Sequence, residues 1–145
     1  MTWIKPSFLW MMYRSGWASK QGQERILAID LKREGFDEIV RNAVLSSFRE
    51  VSDLSKEEWK NRLENSEVRC QWDPDRDIYA NPIGRRAIQL GIKGETVRKY
   101  VNEWIVNITD ITDKVNEMRN SIQNGTFSES ILPQERKYIL QNHNF

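Results

Sequence analysis

The first seventeen residues hold the densest set of groups able to do chemistry. The run Trp3-Ile4-Lys5-Pro6-Ser7-Phe8-Leu9-Trp10-Met11-Met12-Tyr13-Arg14-Ser15-Gly16-Trp17 spaces three tryptophans seven residues apart, with Lys5, Ser7 and Arg14 among them. Pro6 fits a first helical turn and Gly16 a position just past the last, so a short helix is predicted over Pro6–Ser15. The free backbone N–H groups at its start, together with Ser7, make a place for an anion, with Lys5 beside them and Arg14 as a second cation. Trp10 would then stack on a nucleobase. The same residues also read as packing, with Trp10 and Met12 in a core and Lys5 in solvent.

A second set lies on two alternating stretches. In Glu67–Asp73, Val68, Cys70 and Trp72 alternate with Arg69, Gln71 and Asp73. In Arg86–Ile92, Ile88, Leu90 and Ile92 alternate with Ala87, Gln89 and Gly91. If the two pair, Arg69 and Gln71 share a face with Ala87, Gln89 and Gly91. Small residues there let a ligand approach the backbone, and two amides offer donors and acceptors. On this reading Gln71 and Asp73 orient a reacting ribose, Gln89 contacts the ligand, Trp72 offers a second stacking ring, and Ala28 and Asp30 extend the face. The plainer reading is the wet side of an antiparallel sheet.

Three further motifs read mainly as structure. Asp73-Pro74-Asp75-Arg76-Asp77 has the alternating acids of a calcium loop, but Ile78 stands where such a loop needs glycine and Gly84 where it needs glutamate, which leaves a solvated turn with Arg76 as counter-ion. Gly91-Ile92-Lys93-Gly94 lacks the phosphate-loop pattern and reads as a plain helix start. Arg85, entering a strand beside the acidic stretch, is either its ion-pair partner or a clamp for phosphate or carboxylate.

Composition removes whole classes of chemistry. With 145 residues the chain suits one domain, 1–145, and a net charge of +1 predicts no polyanion partner from bulk electrostatics. The single cysteine, Cys70, allows neither an intrachain disulfide nor a cysteine-rich zinc site, and the single histidine, His143, sits near the chain end, so no metal site is expected. Histidine-dependent triads and metallopeptidase motifs are excluded with it. The apolar run Phe8–Tyr13 is far shorter than the about 20 residues that span a bilayer. A cytoplasmic protein with no membrane association is expected.

The elements that must position these residues follow from periodicity. A strand is predicted at Arg25–Arg33, then a helix after Gly35 with Phe36, Ile39, Val40, Ala43 and Val44 on one stripe. Ser55-Lys56-Glu57-Glu58 is a capping box that starts a helix burying Trp59 and Leu63. Pro74–Gly84 reads as a loop between the two strands. From Gly94, helical spacing runs through Val97, Tyr100, Val101, Trp104, Ile105 and Ile108, and a last helix from about Thr112 points Val115, Met118 and Ile122 inward before Gly125. Leu132–Leu140 reads as extended. The fold class is α+β: a small, mostly antiparallel sheet packed with about five helices on one side.

Together these blocks resemble the domain-of-unknown-function 4291 family. The matching stretches are Met1–Ala18, Gln23–Ile29, Val68–Asp77, Arg86–Ile92 and Tyr100–Thr112. The resemblance supplies no activity. It implies a further segment ahead of the Trp-Ile-Lys-Pro-Ser block, including a strand-like V-Y-Q-A-Y stretch.

Two functions from different classes follow. The first is nucleotide handling, with NAD as cofactor or substrate. The N-terminal strand, serine turn and helix are similar to those of ADP-ribosyltransferases, whose chemistry runs without histidine or metal. Lys5, Ser7 and Arg14 would hold phosphates, Trp10 or Trp72 the base, and Gln71 or Asp73 the ribose. The second is a non-catalytic module that binds protein or nucleic acid through an exposed Trp-rich patch.

Overall fold

The computed structural model describes residues 1–140, so His143 lies outside the described residues. In chain order the elements are β1 (Thr2–Ile4), α1 (Phe8–Ser15), β2 (Leu27–Leu31), α2 (Arg33–Arg41), β3 (Ala43–Leu45), α3 (Lys56–Asn65), β4 (Val68–Arg76), β5 (Pro82–Ile92), α4 (Gly94–Lys99), a π-helical turn at Tyr100–Trp104, β6 (Ile105–Asp110) and α5 (Thr112–Asn124). Four strands form one sheet in the order β1-β5-β4-β3, and β2 pairs with β6 in a separate ribbon. All pairings are antiparallel except β3 with β4. This is an α+β fold with mostly antiparallel sheets.

Local chemistry sets several of these boundaries. Ser7 caps α1 by accepting from the Trp10 N–H, and Gly16 closes it with φ of 58°. Ser55 and Glu58 form the predicted capping box at α3, but Trp59 and Leu63 are only half-buried. Gly125, at φ 71°, ends α5, whose Val115 and Met118 are buried. Gly35 is needed inside α2 because a Cβ there would overlap the ring of Trp104.

The structure departs from the sequence reading in four places. First, α2 stops at Arg41, and Ala43–Leu45 pair in parallel with Val68–Cys70 rather than extending the helix. Second, helix ends at Trp104 and Ile105–Asp110 joins β2. Ile105, Val106, Ile108 and Thr109 are β-branched, and β2 offers them a complete ladder, which outweighs their helical spacing. Third, the expected loop is mostly strand. Only residues 77–81 turn, and Pro74 sits at a register shift where its missing N–H is tolerated. Fourth, one end of β5 is covered on both sides: from Ala87 to Ile92 successive residues are buried or half-buried, while Gln71 and Trp72 of β4 stay exposed.

Two apolar clusters result. Ile39, Val68, Cys70, Leu90, Ile92, Tyr100 and Trp104 join α2 and the π-turn to one face of the sheet. Met12, Ala18, Ile26 and Val115 join α1 to α5. At the second cluster Gly16, Trp17 and Ala18 all take positive φ (58°, 55° and 62°). Ser15 Oγ, accepting from the Ala18 N–H, and Arg119, donating to the Trp17 carbonyl at 2.8 Å, hold that unusual turn.

Candidate functional site

Register builds the site directly. Trp3 and Arg69 both pair with Gly91, Gln71 pairs with Gln89, and Asp73 with Ala87, so these side chains share the face of the sheet opposite Leu90 and Ile92. The sequence-predicted polar face therefore exists on β4 and β5. Ala28 and Asp30 do not extend it, because they lie in the β2–β6 ribbon.

Three of its groups form one cluster. Asp73 accepts from Gln89 Nε2 at 2.7 Å and from Gln71 Nε2 at 3.3 Å. Gln89 is buried, Asp73 half-buried and Gln71 exposed, so the carboxylate anchors two amides along a gradient from core to solvent. Arg69 is different. It is half-buried, and its Nε is shut off from solvent with no hydrogen-bond partner among the described residues.

Lys5 leaves β1 directly after Ile4, whose register partner is Leu90. Burial pushes the Lys5 ammonium below the ordinary lysine range, and the Arg14 charge pushes it the same way. No carboxylate pairs with Lys5 among the described residues. Arg14 itself is exposed. With the Gln23 amide turned to satisfy both groups, Gln23 accepts from Arg14 Nη1 at 3.0 Å and donates to the Arg14 carbonyl at 3.2 Å.

The remaining expected groups gather at a second centre, on the buried carboxylate of Asp75. Ser7 Oγ donates to Asp75 at 2.8 Å, Arg85 Nε donates at 3.0 Å, and the Arg76 N–H donates at 2.9 Å. The anion place expected at the start of α1 is filled from within the chain: Glu135 accepts from the Phe8 N–H at 2.7 Å and lies 4.0 Å from Arg85 Nη2. Asp75 was read as part of a solvated turn; it is 2% exposed. The strand alternation of Asp73 and Asp75, continued through Pro74, was the available signal. Of that acidic run, only Asp77 serves a turn, accepting from the N–H groups of Tyr79 and Asn81.

The tryptophans divide. Trp10 is 5% exposed and meets Tyr13 edge-on at 6.2 Å, so it has no free ring face. Trp72 pairs with Ile88 on the opposite face of the sheet and is 39% exposed. Trp3, 38% exposed, lies over Gly91 on the polar face. Cys70 sits in the first apolar cluster, where burial raises its thiol to about 11, the opposite of a reactive cysteine.

Two open grooves lie outside the polar face. One, of about 510 Å³, runs past Arg76, Tyr79, Ile122 and Phe127, and a smaller one of about 220 Å³ past Phe8, Arg85 and Glu135. Leu9 and Leu132 line both. Among the described residues no group of three or more His, Cys, Asp and Glu is placed to hold a metal ion. No described helix is long and apolar enough to cross a membrane.

Fold and site together define a small α+β protein whose central sheet is apolar on one face and carries an amide–carboxylate cluster on the other. The chain belongs to the family described as Domain of unknown function (DUF4291), whose model matches residues 1–138. No curated protein and no solved structure matches it.

Proposed function

We propose that the polar face of β4 and β5 binds a nucleotide, with NAD as the ligand and ADP-ribosyl transfer as the reaction. The observation that carries this reading is the pair of half-buried cations, Lys5 and Arg69, that lack a carboxylate partner among the described residues. A partly desolvated cation without a counter-charge is costly, and a phosphate supplies both the charge and the acceptor oxygens. Lys5 and Arg14 repel each other, and an anion between them would turn that repulsion into two attractions.

The rest of the face suits a ribose. Gln71 and Gln89, held by Asp73, present amides of fixed orientation to hydroxyl groups. In the transfer, the bond from ribose C1′ to nicotinamide breaks and its electron pair leaves with nicotinamide. A hydroxyl or guanidine nucleophile of the acceptor bonds to C1′, and its proton passes to the Asp73 carboxylate. Trp3 is the ring on this face with open area for a base, whereas Trp10 is enclosed. Ser7 and Arg85 act on the site through Asp75, which fixes the end of β4. A cytoplasmic setting fits the lone, buried thiol of Cys70.

NAD titration followed by tryptophan fluorescence tests this. Binding is expected in the wild type and at least about tenfold weaker in Lys5→Ala or Arg69→Ala, the loss of one charge-assisted hydrogen bond. No fluorescence change at millimolar NAD would sink the reading.

A second reading, a non-catalytic module for protein or nucleic acid, is favoured by the β2–β6 ribbon, where Leu27, Val106 and Ile108 are each more than half exposed. Capture of nucleic acid with a steep salt dependence, lost on Ile108→Asp, would favour that reading over the first.

A further inference from the structure

The chain after α5 behaves as a tether rather than as an element. From residue 133 to 140 it is neither helix nor strand, and its last backbone–backbone hydrogen bond among the described residues is from the Leu132 N–H to the Glu129 carbonyl. Side chains hold it at two separated points. At the first, the Glu135 carboxylate takes the Phe8 N–H at the start of α1, from 127 residues away in sequence, and approaches Arg85. At the second, Tyr138 donates its hydroxyl to the buried Asp37 of α2, meets Phe36 edge-on at 5.0 Å, and lies under the Arg33 guanidinium at 5.0 Å. Arg33 also donates to the Ile139 carbonyl. Arg136 and Lys137, between the anchors, are exposed.

We propose that Leu132–Ile139 is a displaceable strap that closes as one unit, and that its Glu135 carboxylate competes with a phosphate-bearing ligand for the Phe8 N–H and Arg85. This rests on the nucleotide reading only in that the competing anion carries phosphate.

Three observations support displacement. A segment whose backbone groups face water and whose hold is a few side chains opens far more easily than a strand or helix. Glu135 sits at the positive end of α1 beside a guanidinium, the geometry an anionic oxygen would take, so a ligand phosphate and Glu135 exclude each other. The small groove lined by Phe8, Arg85, Leu132, Pro133 and Glu135 runs alongside the strap, so a ligand reaches the anchor before the strap leaves it. Closing also keeps Asp37 under Tyr138, a buried carboxylate that regains water when the strap lifts.

Hydrogen exchange and inorganic pyrophosphate binding test this on the full chain. Because the anchors belong to one strap, Tyr138→Phe should speed exchange of the Phe8 amide by about fivefold or more, although the Tyr138 hydroxyl is bonded to α2. Glu135→Gln should tighten pyrophosphate binding about tenfold by removing the competitor, whereas Glu129→Gln, which removes the same charge from the neighbouring turn, should leave it unchanged. An unchanged Phe8 exchange rate in Tyr138→Phe overturns the single-unit strap. Equal pyrophosphate affinity in wild type and Glu135→Gln, or no binding by either, overturns the competition. If these results hold while NAD does not bind, the nucleotide reading fails alone.

Discussion

The two faces of the β4–β5 pair come from the same two strands, of 9 and 11 residues, yet they solve opposite problems. On one face Val68, Cys70, Leu90 and Ile92 are buried against Ile39, Tyr100 and Trp104. On the other, Asp73 gathers two amides while Arg69 and Lys5 hold charge with no partner among the described residues. The apolar face is complete in itself. The polar face is organised at its centre and unsatisfied at its margins.

The largest expected effect breaks the apolar face. Leu90 is wholly buried, so Leu90→Ala should cost about 2–5 kcal/mol in urea unfolding. Gly35→Ala forces a methyl against the Trp104 ring and should cost about 1–3 kcal/mol, more if α2 cannot shift. Arg69→Gln, on the other face, should stay within about 0.5 kcal/mol of wild type, because it loses no partner.

Next in size is the thiol. With Cys70 raised from 9.0 to about 11, its thiolate at pH 8 is about a hundredfold scarcer than in the unfolded chain, and alkylation of the folded protein should slow by at least that factor. The linkage sign follows. The folded state holds this proton more tightly, so the stability it contributes is whole below pH 9 and is lost as pH rises toward 11.

Lys5 predicts a smaller effect of opposite sign. Its depressed pKa means that the folded state holds the proton less tightly, so its penalty is full at low pH and relaxes as pH rises toward 10.5. In Lys5→Met the alkaline limb of the stability curve should fall more steeply than in wild type, since the losses from raised groups such as Cys70 and Tyr138 are no longer offset by Lys5. A parallel fall in both proteins would show that Lys5 is hydrated and unperturbed in solution.

Much of this contrast was readable from sequence because it is local. The alternation of Val68 and Cys70 against Arg69 and Gln71 gave both faces and set Gln71 and Gln89 on one of them, and Gly16, Ser55 and Gly125 gave helix limits. What escaped depends on distant partners. Ile105–Asp110 has helical spacing, and only the presence of β2 makes it a strand. Asp75 is buried because α1 delivers Ser7 and β5 delivers Arg85 to it, neither of which is local. Glu135 reaches the start of α1 from the far end of the chain and so takes the anion place expected there for a ligand. The left-handed run at Gly16, Trp17 and Ala18 has no sequence signal beyond its glycine.

One comparison tests the central claim most directly: thermal unfolding of wild type and Arg69→Met, each with and without saturating NAD. A ligand that binds only the folded state at about 100 times its Kd stabilises it by about 2.7 kcal/mol, several degrees in Tm for a chain of this length. The polar face as a ligand site predicts that Arg69→Met, which replaces an unpaired cation by an apolar chain, unfolds no lower than wild type without NAD and loses most of the NAD-dependent rise. A variant that unfolds well below wild type, or that keeps the full rise, would contradict it.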